Sequence, residues 1–546
     1  MPELCANVRL VEAASKDIVR EKTRSLETAF AALVGACITA FVFVLYLRTL
    51  APTVLFYDRP LLLDSAMLQV QAVVLGIPGG TGSPTWVMLT HLFTYLPVGD
   101  LAYRVNLASA VYAALAVLTL FIAGYLLSRR VSAAAVGALA FGLGVTFWSQ
   151  AVIAEVYTLN AFLISLTLVV LFLWRERRRD RYLLLAAFLM GFTLTNHMTS
   201  GLLLPAGLLF VGLVDRRKLA DAKLVLKGVG LFLLGLSPYL YLPLRASMNP
   251  PLNEWDPTTL ARFWYLVSGG GHQGNMFAFG PTELPARFYF YGYYLFQNFH
   301  WGLVMIGMMG FWFLLLRDRA AAVLLGFLYL GWMFYAIEYK IFDTHVYFIA
   351  TYLALALAIA VGLSALLPAV EDWVERFPRR WGRAILIAVS VVLILIPFVG
   401  IRATYAKNDR SHDYRGRKTL EAVVENAAPN STILHHRSEL WYLVLVEKRR
   451  QDLTIIDPWP PGRDRYTDIV WPDDLDYITT NLRYGTNDPT GVSTAKEAAE
   501  NGPVYILAQK STGAHNFYDA GFTTVRVERD LFELVPPGRE PYTEQQ

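Results

Sequence analysis

The sequence predicts a mainly α-helical fold, a polytopic bundle of about eleven transmembrane helices followed by a small soluble α/β domain. Of its 546 residues, 55% are hydrophobic and only 17% are charged, whereas about a quarter of the residues of a soluble domain carry charge. Charge-free apolar runs recur until about Ile401. Their lengths are close to the about 20 residues that a helix needs to cross a bilayer. These observations argue against a water-soluble enzyme.

The apolar runs are the predicted spans, with boundaries that the sequence sets only to within several residues. The first is not predicted to be a signal peptide, because nearly thirty mostly polar residues precede it. In chain order the predicted spans are Ala29–Tyr46, Leu107–Leu127, Val131–Phe147, Val156–Trp174, Tyr182–Leu194, Met198–Val214, Gly228–Leu244, Trp301–Leu316, Ala320–Ile337, Val346–Val370 and Ala384–Ile401.

The loops between the runs alternate in charge, which predicts the orientation of the bundle. Loops rich in Lys and Arg, such as Arg175–Arg181, face the cytoplasm by the positive-inside rule. The segment 1–28 is then cytoplasmic, the transmembrane domain covers 29–405 with a large outer loop at 51–104, and an extracytoplasmic α/β domain covers 406–546. We therefore expect a multi-pass protein of the cell membrane.

Two apolar segments of the first outer loop, Leu61–Leu75 and Pro84–Leu96, are too short to span and are predicted to lie at the membrane interface. The soluble domain is predicted from alternating short helices and strands. These are the helices Arg415–Asn426 and Ser438–Lys448 and the strands Thr432–Leu434, Leu453–Ile456, Val504–Leu507, Thr523–Val527 and Leu531–Val535.

Charge and cysteine content restrict the partners and cofactors. The net charge of +4 is small and dispersed, so we expect no nucleic-acid partner. Cys5 and Cys37 are the only cysteines and cannot build a disulfide framework or a Cys-based metal site. The pairs Asp343/His345 and His435/His436 lack the spacing of a known metal site, so the sequence predicts neither metal nor cofactor. The composition predicts the lipid bilayer as a partner.

Three segments carry a resemblance to a known family: Tyr103–Asn106 (YRVN), Phe147–Asn160 (FWSQAVIAEVYTLN) and Gly191–His197 (GFTLTNH). They resemble the signatures of a protein O-mannosyltransferase-like family of the glycosyltransferase-C superfamily. The resemblance is good over Leu50–Val214, weaker over Tyr335–Gly362, and extends to Asn408–Ile456. It implies a glycosyltransferase-C-like bundle, a polyprenyl-phosphate-linked sugar as donor, mannose among the candidate sugars, and an extracytoplasmic protein or glycan as acceptor.

Two departures from the family stand in the first outer loop. This chain reads Asp64-Ser-Ala-Met67, so that the family's Asp is kept and its Glu is replaced by Met67. The run Gly79–Pro84 keeps the turn residues Gly82 and Pro84 but lacks the family's His. A catalytically inert relative that binds lipid-linked sugar or envelope partners is therefore an open alternative. A lipid or sugar transporter is a third, although the spans carry almost no charge.

Sugar transfer from a lipid phosphate needs a base, groups that hold the phosphate and an apolar groove for the prenyl tail. The resemblance implies Asp64 as the base and Glu155 as a second catalytic acid. The candidate substrate-binding residues are Asp58, Arg104, Asn106, Tyr157, Asn196 and His197.

Each candidate has a purely structural alternative. Asp64 could cap a helix that begins at Ser65, and Glu155 could stand in a first helical turn for electrostatic reasons. Asn196 and His197 could pair between helices, and Arg104 could be an interfacial anchor. For Lys340 and Arg245 the anchor is favoured, and Asp58 is favoured as a solvated loop charge. The glycine-rich run 268–274 lacks the Gly-Lys-Ser/Thr of a phosphate loop and is predicted to cover the site.

The predicted orientation can be tested by cysteine labelling from outside the cell, after replacement of both native cysteines by serine. A membrane-impermeant thiol reagent should modify Asn430→Cys and spare Arg177→Cys, because the first lies in the predicted outer domain and the second in a basic cytoplasmic loop. The reverse labelling pattern would contradict the orientation and place every candidate residue in the wrong compartment.

Overall fold

The protein is described by a computed structural model that covers residues 2–56, 64–436, 438–458, 482–484, 491–507 and 515–542. The described part contains eight helices long and apolar enough to cross a membrane, or ten when each of two bent helix pairs is taken as one span. The predicted fold class, a helical membrane bundle followed by a small α/β domain, is confirmed. The predicted count of eleven spans is not confirmed.

Helices dominate the chain up to residue 408. In chain order they are α1 (Pro2–Thr49), α2 (Ser65–Val74), α3 (Pro84–His91), α4 (Leu101–Ser128), α5 (Val131–Gly142), α6 (Val145–Ala151), α7 (Tyr157–Arg177), α8 (Asp180–Leu194), α9 (Leu203–Asp215), α10 (Arg217–Ala220), α11 (Ala222–Gly235), α12 (Tyr241–Ala246), α13 (Leu260–Val267), α14 (Leu284–Asn298), α15 (Trp301–Arg317), α16 (Arg319–Ile337), α17 (Ile349–Val374), α18 (Arg379–Leu395) and α19 (Ile401–Asn408).

The helix α8 explains the difference in the span count. It corresponds to the predicted span Tyr182–Leu194 but has only 15 residues, about 22 Å at 1.5 Å per residue, against a hydrocarbon core of about 30 Å. It packs against α7 and α11, and just beyond its end Asn196 Nδ2 donates to the Val156 carbonyl at the start of α7, 3.3 Å away. The two helices therefore run antiparallel beside each other.

The bundle contains a broken helix, in which α5 and α6 meet at 67°. A break inside an apolar environment leaves backbone groups without partners unless other segments supply them. Here the Tyr46 hydroxyl donates to the Gly142 carbonyl at 2.7 Å, and Asn408 Nδ2 donates to the Val145 carbonyl at 3.1 Å. Three separate parts of the chain are thereby joined at the break.

A six-stranded sheet follows the spans, together with α20 (Arg415–Asn426), α21 (Val492–Asn501) and α22 (His515–Asp519). The strand order is β3-β2-β1-β4-β6-β5; the first four of these neighbours are parallel, and β6 is antiparallel to both β4 and β5. The strands are β1 (Thr432–Leu434), β2 (Thr454–Asp457), β3 (Leu482–Tyr484), β4 (Val504–Leu507), β5 (Thr523–Glu528) and β6 (Leu531–Val535). The sequence missed β3 and α21, and the predicted helix Ser438–Lys448 is reduced to a short turn with a π-helical segment, Tyr442–Val446.

The helix α2 corrects the prediction of an interfacial helix at Leu61–Leu75, of which residues 61–63 lie outside the described part. Eight of its ten residues are buried, because α2 packs against α3, α4 and the segment Tyr442–Val446 of the C-terminal domain. Its apolar residues Met67 and Val70 share one hydrophobic cluster with Trp441 and Tyr442. The apolar surface from which an interfacial helix was predicted is therefore covered by protein rather than by lipid headgroups.

A partly buried ion cluster also joins the C-terminal domain to the bundle. The guanidinium of Arg417 on α20 lies 2.5 Å from a Glu447 carboxylate oxygen and 3.2 Å from an Asp100 carboxylate oxygen. Asp100 in turn accepts a hydrogen bond from the backbone N–H of Tyr103 and so caps α4. It also accepts one from the Thr53 hydroxyl. One arginine therefore connects the domain to the cap of a transmembrane helix.

We expect Arg417→Ala to lower the thermal unfolding midpoint of the purified protein. The substitution removes the cation that Asp100 contacts and one of the two arginines, Arg417 and Arg449, that Glu447 contacts; charge-assisted hydrogen bonds contribute about 1.5–3 kcal/mol each. Arg526→Ala is the matched control, because Arg526 is exposed and its side chain bonds only to the nearby Arg529 carbonyl. Equal midpoints for the two variants would show that the cluster does not stabilise the domain contact.

Candidate active site

A cavity of about 870 Å³ opens at the end of the bundle where the loops predicted to be extracytoplasmic meet. Its wall is formed by the start of α2, the connector before α3, the start of α7, the residues after α8, the glycine-rich run and the loop between α16 and α17. Four of the predicted site residues line it: Asp64, Glu155, Tyr157 and His197. The structure adds Asp343, Lys340, His272 and Tyr347 to the same wall.

Glu155 is held in the wall by three helices. The Ser65 hydroxyl of α2 donates to a Glu155 carboxylate oxygen at 3.1 Å. The Trp86 indole N–H of α3 donates to the Glu155 carbonyl at 3.0 Å, and the Glu155 backbone N–H donates to the Ser109 hydroxyl of α4 at 3.3 Å. The position of this carboxyl group is therefore set by side chains more than forty residues away in sequence.

The carboxyl groups of Asp64, Glu155 and Asp343 all line the cavity, and burial and charge raise the pKa of the last two. Burial raises the pKa of Glu155 well above its usual range, and the negative charges of Asp64 and Asp343 raise it further. Burial first, and then the charge of Asp64, raises the pKa of Asp343 to about 7. Near neutral pH the site therefore retains protons that exposed carboxylates would lose.

His197 belongs to an aromatic wall. Its ring centroid lies 5.5 Å from that of Tyr157 and 5.5 Å from that of Tyr347, and Tyr347 contacts Tyr339 at 5.2 Å. Burial lowers the pKa of His197 to about 4, and its Nδ1 is paired with the Thr199 hydroxyl at 2.8 Å. A neutral imidazole at physiological pH cannot supply positive charge to a phosphate.

Arg104 was a candidate both for substrate binding and for an interfacial anchor. Arg104 does not line the cavity; its guanidinium donates to the carbonyls of Thr94, Val98 and Gly99. These bonds hold the turn before α4 in place.

Asn106 and Asn196 are buried behind the wall rather than in it. Asn106 Nδ2 donates to the Ala51 carbonyl at 3.1 Å, and its Oδ1 accepts from Gln69 of α2 at 2.8 Å. Asn196 bonds to the residue before α7, as described above. Both position segments that carry cavity residues. Asp58 lies outside the described residues.

No side-chain hydrogen bond supports the alternative in which Asp64 caps α2. Asp64 stands at the N-cap position of α2, but its side chain accepts no bond from the backbone of the first turn. Met67 also lines the cavity, one helical turn after Asp64. The position at which the family has Glu is therefore part of the cavity wall in this chain.

Lys340, for which the sequence favours an anchor, and Asp343 are cavity residues that the sequence did not place in the site. The weaker family resemblance over 335–362 was the available signal, since both residues fall within it. The glycine-rich run 268–274 was predicted to cover the site, and Gly269, Gly271, His272 and Gly274 do line the cavity. Within the described residues, no group of three His, Cys, Asp or Glu side chains is arranged to hold a metal ion.

Comparison with known proteins connects this geometry to a family. Residues 64–220, which include the wall residues Asp64, Met67, Glu155, Tyr157 and His197, match the family model "Protein O-mannosyl-transferase TMEM260 N-terminal domain". Over 208 residues the chain is 29% identical to the mouse protein O-mannosyl-transferase TMEM260, and over 217 residues 24% identical to the Dictyostelium discoideum protein of the same description. The chain is similar to the protein O-mannosyltransferases.

The similarity covers only part of each relative. The aligned region is 37% of this chain and 29% of the mouse protein, and 36% of this chain and 26% of the Dictyostelium protein. The chain therefore spans less than a third of the curated relatives that it matches. The family resemblance inferred from the motifs is confirmed over the cavity-forming part of the bundle, since the matched residues include Asp64, Glu155 and His197.

Solved structures share the fold over almost the whole chain. ArnT from Cupriavidus metallidurans bound to undecaprenyl phosphate superposes with a TM-score of 0.57 at 14% identity, covering 91% of this chain and 97% of ArnT. AglB from Archaeoglobus fulgidus, in complex with an inhibitory peptide and a dolichol-phosphate, gives 0.52 at 11% identity, covering 93% and 75%. At these identities the likeness shows that the chain shares the fold of these two proteins, and the apolar helices support a multi-pass membrane protein.

The raised pKa of Asp343 predicts a pH-dependent stability. The folded protein binds a proton at Asp343 more tightly than the unfolded chain, so this group lowers stability as the pH rises from about 4 to about 7. We expect Asp343→Asn to unfold at a higher temperature than the unsubstituted protein at pH 8, and the difference to shrink towards pH 4.

His197 acts with the opposite sign, because its lowered pKa adds stability as the pH rises from about 4 towards 6.5. The comparison with Asp343→Asn cancels that contribution, since both proteins contain His197. Glu425→Gln removes an exposed carboxylate and serves as the control. A difference between Asp343→Asn and the unsubstituted protein that stays constant from pH 4 to pH 8 would contradict the coupling.

Proposed function

We propose that this protein is a membrane glycosyltransferase that moves a sugar, with mannose the first candidate, from a polyprenyl-phosphate carrier to a hydroxyl group of an extracytoplasmic protein or glycan. The observation that carries the proposal is the convergence of Asp64, Glu155 and Asp343 in one cavity with an aromatic wall. The matched relatives are described as O-mannosyltransferases. Two proteins of the same fold were solved with undecaprenyl phosphate or dolichol-phosphate, which supports the donor class.

Asp64 is proposed as the base. The acceptor oxygen forms a bond to the anomeric carbon of the sugar while the bond from that carbon to the phosphate oxygen breaks. The acceptor proton passes to the Asp64 carboxylate, and the bonding electrons leave with the polyprenyl phosphate. A proton acceptor has to be ionised, and the positive end of the α2 dipole favours a negative charge at this position.

Glu155 and Asp343 are proposed to act in their protonated forms. Burial and the negative charge of Asp64 raise the pKa of both groups, so near neutral pH they keep protons that exposed carboxylates would lose. A protonated carboxyl can donate a hydrogen bond to a sugar hydroxyl or to a phosphate oxygen. It also spares the anionic donor the repulsion of two further negative charges.

The orientation proposed from the loop charges places the cavity and the sheet domain outside the cytoplasm. An acceptor presented there reaches the cavity from the side of the C-terminal domain, whose segment Tyr442–Val446 packs on α2. The donor approaches through the bilayer, where its prenyl chain contacts the apolar faces of the spans.

One observation favours an inert relative as the second candidate. Met67 occupies the position of the family's Glu and lines the cavity, so this site has one carboxylate fewer than the family pattern implies. An inert relative would still bind a lipid-linked sugar but would not transfer it.

We expect Asp64→Asn to lower the transfer rate about 10²- to 10⁴-fold, the usual contribution of a general base. Purified protein would be incubated with a panel of polyprenyl-phosphate sugars, and donor consumption would be measured together with donor binding. Asp519→Asn, a matched change of an exposed carboxylate far from the cavity, should leave the rate unchanged. Full activity in Asp64→Asn would refute the base assignment.

A second variant separates the two candidate functions. If the family's Glu is the group that matters, the unsubstituted protein should bind donor without consuming it, and Met67→Glu should create or greatly increase transfer. If Asp64 suffices, the unsubstituted protein should consume donor, and Met67→Glu should change the rate little. Met67→Gln is the control for altered packing, because glutamine has the shape of glutamate without its charge.

A further inference from the structure

Most of the cations around the cavity are committed to the fold. Arg104 donates to three backbone carbonyls, as described above. Arg245 donates to the carbonyls of Leu75 and Val74 at 2.8 and 3.0 Å, and so satisfies the C-terminal end of α2. Neither side chain is among the residues that line the cavity.

The same holds for two arginines within residues 246–300, the second long loop that is predicted to be extracytoplasmic and is called the second outer loop. Arg262 forms an ion pair with Asp256 at 2.5 Å, and both side chains are nearly buried. Arg287 donates to the carbonyls of Ile337 and Tyr339 at 2.7 and 3.3 Å. Arg287 thereby holds the end of α16 and the beginning of the loop that carries Lys340, and it is not available to a ligand.

Lys340 differs from all four. It lines the cavity and is exposed, and the described residues offer its ammonium group no hydrogen-bond or ion-pair partner. Its backbone, in contrast, is fixed: the Lys340 N–H donates to the Asn275 carbonyl at 2.9 Å, and the Ala278 N–H donates to the Glu338 carbonyl at 3.1 Å. These two bonds hold the Lys340 loop against the segment 275–278, which directly follows the glycine-rich run.

The wall next to Lys340 leaves space for a ligand. Three glycines of the run, Gly269, Gly271 and Gly274, line the cavity without side chains. His197, the histidine of the aromatic wall, is neutral at physiological pH and supplies no positive charge. Among the described lining residues, Lys340 is therefore the one side chain with a permanent positive charge.

We propose that Lys340 binds the phosphate group of the lipid-linked donor and stabilises it as the leaving group. This inference rests on the proposed function, since it assigns the phosphate subsite of the same cavity. A polyprenyl-phosphate sugar is a phosphodiester with one negative charge. When the bond between the sugar and the phosphate oxygen breaks, the departing phosphate monoester gains negative charge, so the ammonium group interacts more strongly with the product than with the donor.

The assignment has two measurable consequences. Loss of a charge-assisted contact should raise the Kd for polyprenyl phosphate about 10- to 100-fold in Lys340→Ala. The Kd for the polyprenyl-phosphate sugar should rise less than that for polyprenyl phosphate, because the donor carries less charge. The transfer rate at saturating donor should also fall, since the interaction is strongest after the bond has broken.

The experiment uses the full-length protein in detergent micelles or nanodiscs, with polyprenyl phosphate and a polyprenyl-phosphate sugar as separate probes. Lys340→Arg keeps the charge and should restore most of the affinity. Lys407→Ala is the matched control: Lys407 is an exposed lysine whose ammonium group contacts Gln297, and its removal tests whether net charge alone attracts the lipid. Thermal unfolding of each variant confirms that it is folded.

An unchanged Kd in Lys340→Ala, or an equal loss of affinity in Lys407→Ala, would overturn the assignment of Lys340 and leave the proposed donor class intact. Failure of the unsubstituted protein to bind either probe would overturn the donor class itself, and the inference with it. Loss of transfer in Asp64→Asn with normal binding of both probes concerns the base alone, so the two proposals fail in distinguishable ways.

Discussion

The position of α2 is the constraint on which the rest of the site depends. This ten-residue helix carries the proposed base at its N-terminus and lies enclosed by protein. Two glutamines hold it by side-chain amides: Gln69 donates to Asn106 of α4 at 2.8 Å, and Gln71 donates to Glu254 of the second outer loop at 3.1 Å. Buried amides are costly to leave unpaired, so the helix cannot rotate or slide without breaking these bonds.

The C-terminal domain completes the enclosure of α2. The residues Met67 and Val70 pack in one cluster with Trp441 and Tyr442, and the Tyr442 hydroxyl accepts a hydrogen bond from the Ala102 backbone N–H in the first turn of α4, 3.2 Å away. The sheet domain and the helical bundle thus share one hydrophobic core. A change in the domain is transmitted to the helix that carries Asp64, because close-packed residues do not deform independently.

The basic and the acidic side chains near the cavity have different roles. The arginines near the cavity mostly bind carbonyls at helix and turn ends, where a planar guanidinium can satisfy several acceptors at once. The acids Glu155 and Asp343 are instead gathered in the cavity, where burial and repulsion shift their protonation towards neutral pH. Lys340, on a loop whose backbone is fixed by hydrogen bonds, is the cation proposed to bind a ligand.

The sequence by itself determined the class of protein, the approximate spans and most strands of the terminal sheet, because apolar runs and alternating patterns report burial locally. It also selected Asp64, Glu155, Tyr157 and His197, which share one contiguous matched region. Only the tertiary structure decided that Arg104 supports a turn and that Asp343 and Lys340 belong to the site. Those assignments depend on which groups meet after folding. The partners can be near in the chain, as Thr94 is to Arg104, or far apart, as Asp64 and Asp343 are in the cavity wall, and the sequence pattern does not specify them.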